Sequence, residues 1–439
     1  MQLRADVEDL PENMSSTETA RSGALSRYRV LELGSLVAGP FCGSFFADFG
    51  AEVIKVEQPE GDPVRAMGDR VGSKSLYAAS MMRNKRLISV DLSTPEGQEI
   101  VRSLVRRCDV VIENFRPGVL ERWRLDYDAL RAINPSVVMV RVSGFGQDGP
   151  YASRPGYGVI GEAVSGLRHL IGDPDRPPAR VAVPLTDYIA GMYAAMGALV
   201  ALSHRDHTGE GQCVDASLFE SAFSFLRSEV PSFDKLGTVA KRAGSRLPGH
   251  VPSNLYATRD GGYIHISAGN NSLFRRLAKT MGQPELAQDP RFSDALERAK
   301  NGDEIDRLIA AWVGRHELDD VEKTLIDAEV VASRIFTVED IFRDPHFKAR
   351  EMLPEAPDDE LCTLKMPGVV PKLSRTPGRI RSSGGANGRD TFDVLLEHTG
   401  LSVEQIQAFE SKGVVRQSAA KTTVPPAPAA DITPSGAAL

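Results

Sequence analysis

Apolar residues recur along this chain with two periods, and the switching between them predicts its elements. Continuous apolar runs bounded by turn residues read as strands buried on both faces: YRVLELG (28–34), AEVIKVE (51–57), RLISVDL (86–92), DVVIENF (109–115) and VVMVRVSGFG (137–146). Helical patterns lie between them. AGPFCGSFFADFG opens at a Gly-Pro turn directly after the first strand. In STPEGQEIVRSLVRRC, Thr94 is placed to cap and Pro95 takes the first helical position, while Ile100, Val101, Leu104 and Val105 share one face. YDALRAIN is a further short helix. Strands alternating with helices predict an α/β fold with a doubly wound parallel sheet.

The pattern changes near Ser245. NLYATRDGGYIHISA reads as a hairpin turning at Asp260-Gly261-Gly262, and three helical runs follow within 271–328. These predict a smaller α+β domain, after which VEDIFRDPHFKAREMLPE and CTLKMPGVVPKLS return to the first body. Both chain ends are polar or rich in Pro and Ala. The expected layout is a disordered tail over 1–26, a large domain over 27–230, a linker and small α+β domain over 231–330, a return to the large domain over 331–416, and a disordered tail over 417–439.

Composition narrows the function classes. The chain has 439 residues, is 41% hydrophobic and 25% charged, and carries a net charge of -7 without any block of basic residues. Nucleic acid is therefore not an expected partner. The four cysteines (Cys42, Cys108, Cys213, Cys362) form no CxxC pair and the eight histidines are scattered, so no metal site is expected. The N-terminus lacks the apolar core of a secretory signal, and the run Tyr188–Leu202 is short for a membrane span. A cytoplasmic protein with no membrane partner is the expectation.

Three stretches could carry chemistry, and each has a plainer reading. In VAVPLTDYIAGMYAAMGALVAL (181–202) the one charge is Asp187, either a helix cap or a reactive carboxylate. In IENFRPGVLERW (112–123), Asn114, Phe115 and Arg116 follow a strand, where open sheets bind ligands. Phe115 is suited to stacking on a base, and Arg116 and Arg122 to pairing with phosphates; an ordinary loop with solvated arginines is the alternative. SGFGQDGPYASRPGYG (143–158) carries glycines at 144, 146, 149, 156 and 158, which suits backbone passing close to a ligand, a lid, or a flexible surface loop. Ala38-Gly39-Pro40 offers a helix N-terminus to an anion, but neither GxGxxG nor a P-loop is present.

Taken in order, these motifs resemble family III of the CoA-transferases. The resemblance is carried by RVLELGSLVAGPFCGSFFADFGAEVIKVEQPEGDPVR, NKRLISVDLSTPEG, DVVIENFRPGVLERW, SGFGQDGPYASRPGYG, VPLTDYIAGMYAAMGALVAL and TGEGQCVDASLFES. It implies a Rossmann-like large domain built from N- and C-terminal parts, a smaller α+β domain, and two chains interlocked as a homodimer. It implies that Asp187 is a covalent nucleophile, which as a carboxylate ionised at neutral pH needs no general base. Coenzyme A then enters as a thioester substrate, with no further cofactor and no metal. By the same resemblance Val37, Ala38, Asn114, Phe115, Arg116 and Arg122 form the CoA site, and Tyr157 lies near the reacting end. Gln58 is also counted in the CoA site, but stands where the family is often basic, so Arg65 or Arg83 is expected to compensate in that phosphate contact.

The resemblance points to the branch that moves CoA from succinyl-CoA, or a similar short dicarboxyl-CoA, to a small carboxylic acid. A second carboxylate needs a cation, for which Arg242, Arg246 and His250 are candidates, with solvated linker residues as the plainer reading. Two other functions fit the scaffold: an α-methylacyl-CoA racemase and a non-catalytic acyl-CoA-binding protein. The racemase needs a histidine where this chain has Gly156-Tyr157-Gly158, and a phenol with a reference pKa of about 10 is a poor replacement.

Overall fold

In the computed structural model, which describes residues 22–418, six parallel strands form the main sheet. They are β1 (Arg29–Glu32), β2 (Glu52–Glu57), β3 (Arg86–Val90), β4 (Val110–Glu113), β5 (Val138–Ser143) and β6 (Cys213–Ser217). A short seventh strand, β7 (Val415–Arg416), adds antiparallel to β3. The order across the sheet is β7-β3-β2-β1-β4-β5-β6. Strand order reverses between β1 and β4, and a crevice opens there beyond the carboxyl ends of the strands.

Both faces of the sheet are covered. Helices α1 (Ala38–Asp48) and α3 (Leu185–Thr208) pack on one face through Ala38, Cys42, Phe46, Ala190, Ala194 and Ala198. On the other, α2 (Pro95–Val105) and α4 (Thr391–Thr399) contribute Ile100, Val101, Leu104, Val394 and Leu395. The α2 start follows the expected pattern: Thr94 Oγ1 accepts from Gly97 N at 3.0 Å, with Pro95 in the first turn.

Burial on both faces forces the charged strand residues into pairs. In β2, Glu52 meets Arg29 at 2.6 Å and Arg86 at 2.8 Å, Lys55 meets Asp62 at 2.8 Å, and Glu57 meets Arg65 at 2.6 Å.

The chain divides into two compact units. The first takes the described residues up to Gly161, then Pro184–Ser221, then Glu351 onward; the second takes Glu162–Val183 and Ala222–Arg350. The second unit carries a three-stranded antiparallel sheet of Ser253–Ala257, Tyr263–Ser267 and Ala332–Arg334. The expected hairpin is there, with Gly261 at φ +83°.

The expected boundaries at 231 and 330 fall instead at 222 and 350, and 162–183 joins the smaller unit. The reason at the C-terminal side is hydrogen bonding: Ala332–Arg334 completes the small sheet by pairing with Tyr263–Ser267. The expected tails lie mostly outside the described residues. Residues 22–26 and 417–418 do not behave as tail: Leu25 N donates to Phe49 O at 3.0 Å, and Gln417 Oε1 accepts from Phe392 N at 2.8 Å.

Candidate functional site

The crevice between β1 and β4 holds a cavity of about 170 Å³ within the first unit. Four segments at or after strand ends build it: Ser35–Ala38 after β1, Asn114–Pro117 after β4, Val142–Gly144 at the end of β5, and Leu218 after β6. Ala152, Arg154, Gly156, Tyr157 and Asp187 close it.

Asn114 joins the first two loops. Its Oδ1 accepts from Ser35 N at 2.7 Å and its Nδ2 donates to Ser35 O at 2.8 Å. Gly34 and Gly39 lie close enough that an added Cβ would come within 2.9 Å and 3.4 Å of the Asn114 amide. The sequence reading gave Asn114 a direct ligand contact; the structure engages both ends of its amide in clasping the β1–α1 turn to β4.

That turn is strained, with Leu36 at φ +63°, and buried charges hold it from below. Leu36 N donates to Asp62 Oδ1 at 3.0 Å, and Lys85 Nζ donates to Pro40 O at 2.7 Å. Lys55 Nζ bonds Gly34 O. Glu32 completes the network, 2.8 Å from Lys85 and 3.5 Å from Lys55. Burial acts to raise the Asp62 carboxyl, but Lys55 and the Val64 and Leu36 N–H groups outweigh it and hold the group ionised.

The loop after β4 has a second support. Glu113 is fully buried, accepts from Phe115 N at 2.8 Å and meets Arg141 at 2.7 Å. Burial pushes its carboxyl up to about 7, against the pull of Arg141 and the Phe115 N–H. The Phe115 ring packs edge-on against Trp123, with centroids 5.4 Å apart.

Asp187 lies in the first turn of α3, whose N-cap position belongs to Pro184. It is therefore not the capping residue, and the helix N-terminus favours its charged form. One turn on, Gly191 brings α3 against the start of α1: a Cβ there would lie 2.8 Å from Ala38 O. Gly158 packs so closely that a side chain there would overlap the Asp187 carboxylate. Gly144 and Gly156 cross at similarly close range, a Cβ on either coming within 2.7 Å of the other's Cα. Gly144, Gly156 and Gly158 thus serve close backbone approach, while Gly146 and Gly149 adopt positive φ, at +92° and +81°. Beside Asp187, the Tyr188 and Tyr77 hydroxyls are 2.9 Å apart. Burial, the Tyr188 bond and the Asp187 charge together push the Tyr77 phenol up.

Of the residues expected at the CoA site, Val37, Ala38, Asn114, Phe115, Arg116 and Tyr157 line the cavity together with Asp187. Gln58 and Arg122 are not in that lining. Gln58 is exposed, and its carbonyl accepts from Asn387 Nδ2 at 3.0 Å; Arg122 is exposed and donates to Gly118 O at 2.9 Å. The proposed substitutes are engaged elsewhere: Arg65 with Glu57 at 2.6 Å and Arg83 with Asp48 at 2.6 Å. So are the candidate carboxylate ligands of the linker. Arg246 pairs with Asp303 and Asp306, each at 2.6 Å, and Arg242 donates to the carbonyls of Asp173 and His169. The His250 ring packs under Gly269.

Sequence reasoning passed over Ser35, Ser143, Arg154 and Leu218. Arg154 had a visible signal, a cation inside the quoted glycine-rich stretch. No histidine lines the cavity among the described residues. Elsewhere Glu52, Glu397 and His398 gather their ligand atoms within 4.8 Å, but Arg29 and Arg86 already neutralise the two carboxylates. The site thus offers one carboxylate, two arginines and tightly turned backbone at a strand-order reversal, a set suited to an anionic ligand and a carboxylate nucleophile.

Comparison with known proteins identifies the family. The family model for CoA-transferase family III matches residues 25–391. Succinyl-CoA--D-citramalate CoA-transferase of Chloroflexus aurantiacus is 44% identical over 404 residues, covering 92% of this chain and 100% of that protein. Succinate--glutarate CoA-transferase of Agrobacterium fabrum is 34% identical, covering 86% of this chain and 96% of that protein. A crystal structure of a CAIB/BAIF family protein from Brucella suis superposes with a TM-score of 0.77 at 34% identity, covering 86% of this chain and 100% of that one. A match over most of its length, shared by sequence and fold, places this chain in the CoA-transferase family III.

Proposed function

We propose that the protein moves CoA from succinyl-CoA, or a similar short dicarboxyl-CoA, to a small carboxylic acid through covalent intermediates on Asp187. The observation that carries this reading is the position of Asp187, a first-turn carboxylate in the cavity at the strand-order reversal. Asp187 attacks the donor thioester carbonyl, forming a mixed anhydride and expelling CoA thiolate. The thiolate attacks the aspartyl carbonyl, releasing the donor acid and leaving an aspartyl-CoA thioester. The acceptor carboxylate then attacks that thioester, and the freed thiolate takes the acceptor acyl group from the resulting anhydride. Every step exchanges one acyl bond for another, so water has to be excluded. The glycine-rich 144–158 backbone is the wall suited to that.

In this reading Val37, Ala38, Phe115 and Arg116 hold CoA, Asn114 supports the loop beneath it, and no cofactor or metal takes part. The absence of a histidine beside Tyr157 disfavours the racemase chemistry. The dicarboxylate class is supported by the names of the relatives above. An exchange assay offering succinyl-CoA and acetyl-CoA to acids of two to six carbons tests it. Succinyl-CoA with a dicarboxylic acceptor is expected to be fastest; a preference for acetyl-CoA would remove the dicarboxylate assignment.

The working form is an interlocked homodimer in a reducing, cytoplasmic setting. All four cysteines are unpaired, which suits such a compartment. Helix α3 is long and apolar enough for a membrane span, but its alanine face lies in the core. Its outer face leaves Met192, Met196 and Val200 49%, 60% and 70% exposed, a stripe suited to a second copy. Light scattering across a wide dilution series should give the dimer mass throughout; a monomer mass would end this part of the proposal.

A further inference from the structure

We propose that Arg154 holds the free carboxylate of a dicarboxylic substrate and thereby sets a preference for dicarboxylic over monocarboxylic acids; this rests on the transfer reading and substrate class given above. Two cations line the Asp187 cavity, Arg116 and Arg154, and they enter on different loops. Arg116 follows β4, beside the Asn114 clasp and Phe115, where the strand-order reversal suits a nucleotide's phosphates. Arg154 lies on the stretch leading to Gly158, the residue packed against the Asp187 carboxylate. Four residues of chain keep the two Cα atoms within about 14 Å. Arg154 is thus the cation tied by the chain to the reacting end.

Its surroundings leave it able to bind an anion. The guanidinium sits 3.6 Å from the Tyr151 ring centroid, a stacking that orients its plane while leaving edge N–H groups for a carboxylate. Among the described residues no carboxylate pairs with it. Arg65, Arg83, Arg141 and Arg246, by contrast, each meet an acid within 2.8 Å. An unpaired, stacked arginine in a cavity presents the planar fork that a carboxylate accepts in bidentate fashion.

The test compares glutarate with pentanoate as acceptors at saturating succinyl-CoA, reading the ratio of their kcat/KM values so that effects on the donor cancel. Wild type is expected to favour glutarate. Arg154→Gln should cut the ratio about 10- to 100-fold, mainly through a raised KM for glutarate, with a far smaller effect on pentanoate. Arg154→Lys, which keeps the charge but not the fork, should retain part of the preference. A ratio unchanged in Arg154→Gln overturns the inference, as does equal loss for both acids, which would make Arg154 a support of its loop. A wild-type protein without any preference for glutarate overturns the substrate class itself, and is read before any variant is made.

Discussion

Asp187→Ala is expected to abolish CoA exchange, with a loss of roughly four orders of magnitude or more, while CoA binding survives. In the proposed mechanism this variant loses the only route through the aspartyl anhydride, and among the described residues no histidine lines the cavity to take over. On the proposed reading, binding should persist because the loops carrying Val37, Ala38, Phe115 and Arg116 have supports of their own. Their supports are Asn114 bonded to Ser35, and Glu113 bonded to Phe115. The direct observation is mass spectrometry of wild type quenched after mixing with succinyl-CoA and no acceptor. An acyl or CoA adduct should appear on the peptide containing Asp187 and be missing from the variant. Asp187→Asn is the poorer choice, since slow deamidation regenerates the carboxylate. Substantial exchange by Asp187→Ala would reduce the residue to a first-turn charge that steadies α3.

Glu32→Ala should cost about 3–5 kcal/mol of stability, the largest effect expected outside the cavity. Glu32 is fully buried at the end of β1 and faces two buried ammonium groups, Lys85 at 2.8 Å and Lys55 at 3.5 Å. Burial pushes the Glu32 carboxyl up and the Lys85 ammonium down, each opposed by the charge of its partner. Removing the carboxylate leaves Asp62 as the acid nearest Lys55 and leaves Lys85 only the Pro40 carbonyl. A charge abandoned in a dry interior costs more than the intact pair contributes. Denaturant unfolding followed by circular dichroism reads the change, and Glu32→Ala/Lys85→Met should recover part of it. A single variant within about 1 kcal/mol of wild type would mean that water already reaches the cluster. The same substitution should raise the KM for succinyl-CoA, because the network holds the Gly34–Pro40 turn that forms one wall of the cavity.

The strands and helices were legible in the sequence because their periodicity depends on neighbours a few positions away. The β2 run, the Thr94 cap before Pro95 and the Asp260-Gly261-Gly262 hairpin all behave as the pattern predicts. Asn114, Phe115 and Arg116 were legible as a turn following a strand, which is local chemistry, whereas Tyr157 and Asp187 were placed at the site by the family resemblance. Tertiary structure alone decided which of them meet: the order β3-β2-β1-β4-β5-β6 sets the β1 and β4 loops side by side, and Gly191 against Ala38 delivers Asp187 to them. It also decided the fate of each cation. Arg83 and Arg246 resemble Arg154 in the sequence, but the fold brings Asp48 to the first and Asp306 to the second, and no acid among the described residues to the third. It moved Ala332–Arg334 into the small sheet because edge pairing depends on a distant strand. Local pattern determines backbone conformation through short-range sterics and burial, whereas charge partners and strand neighbours come from segments far along the chain.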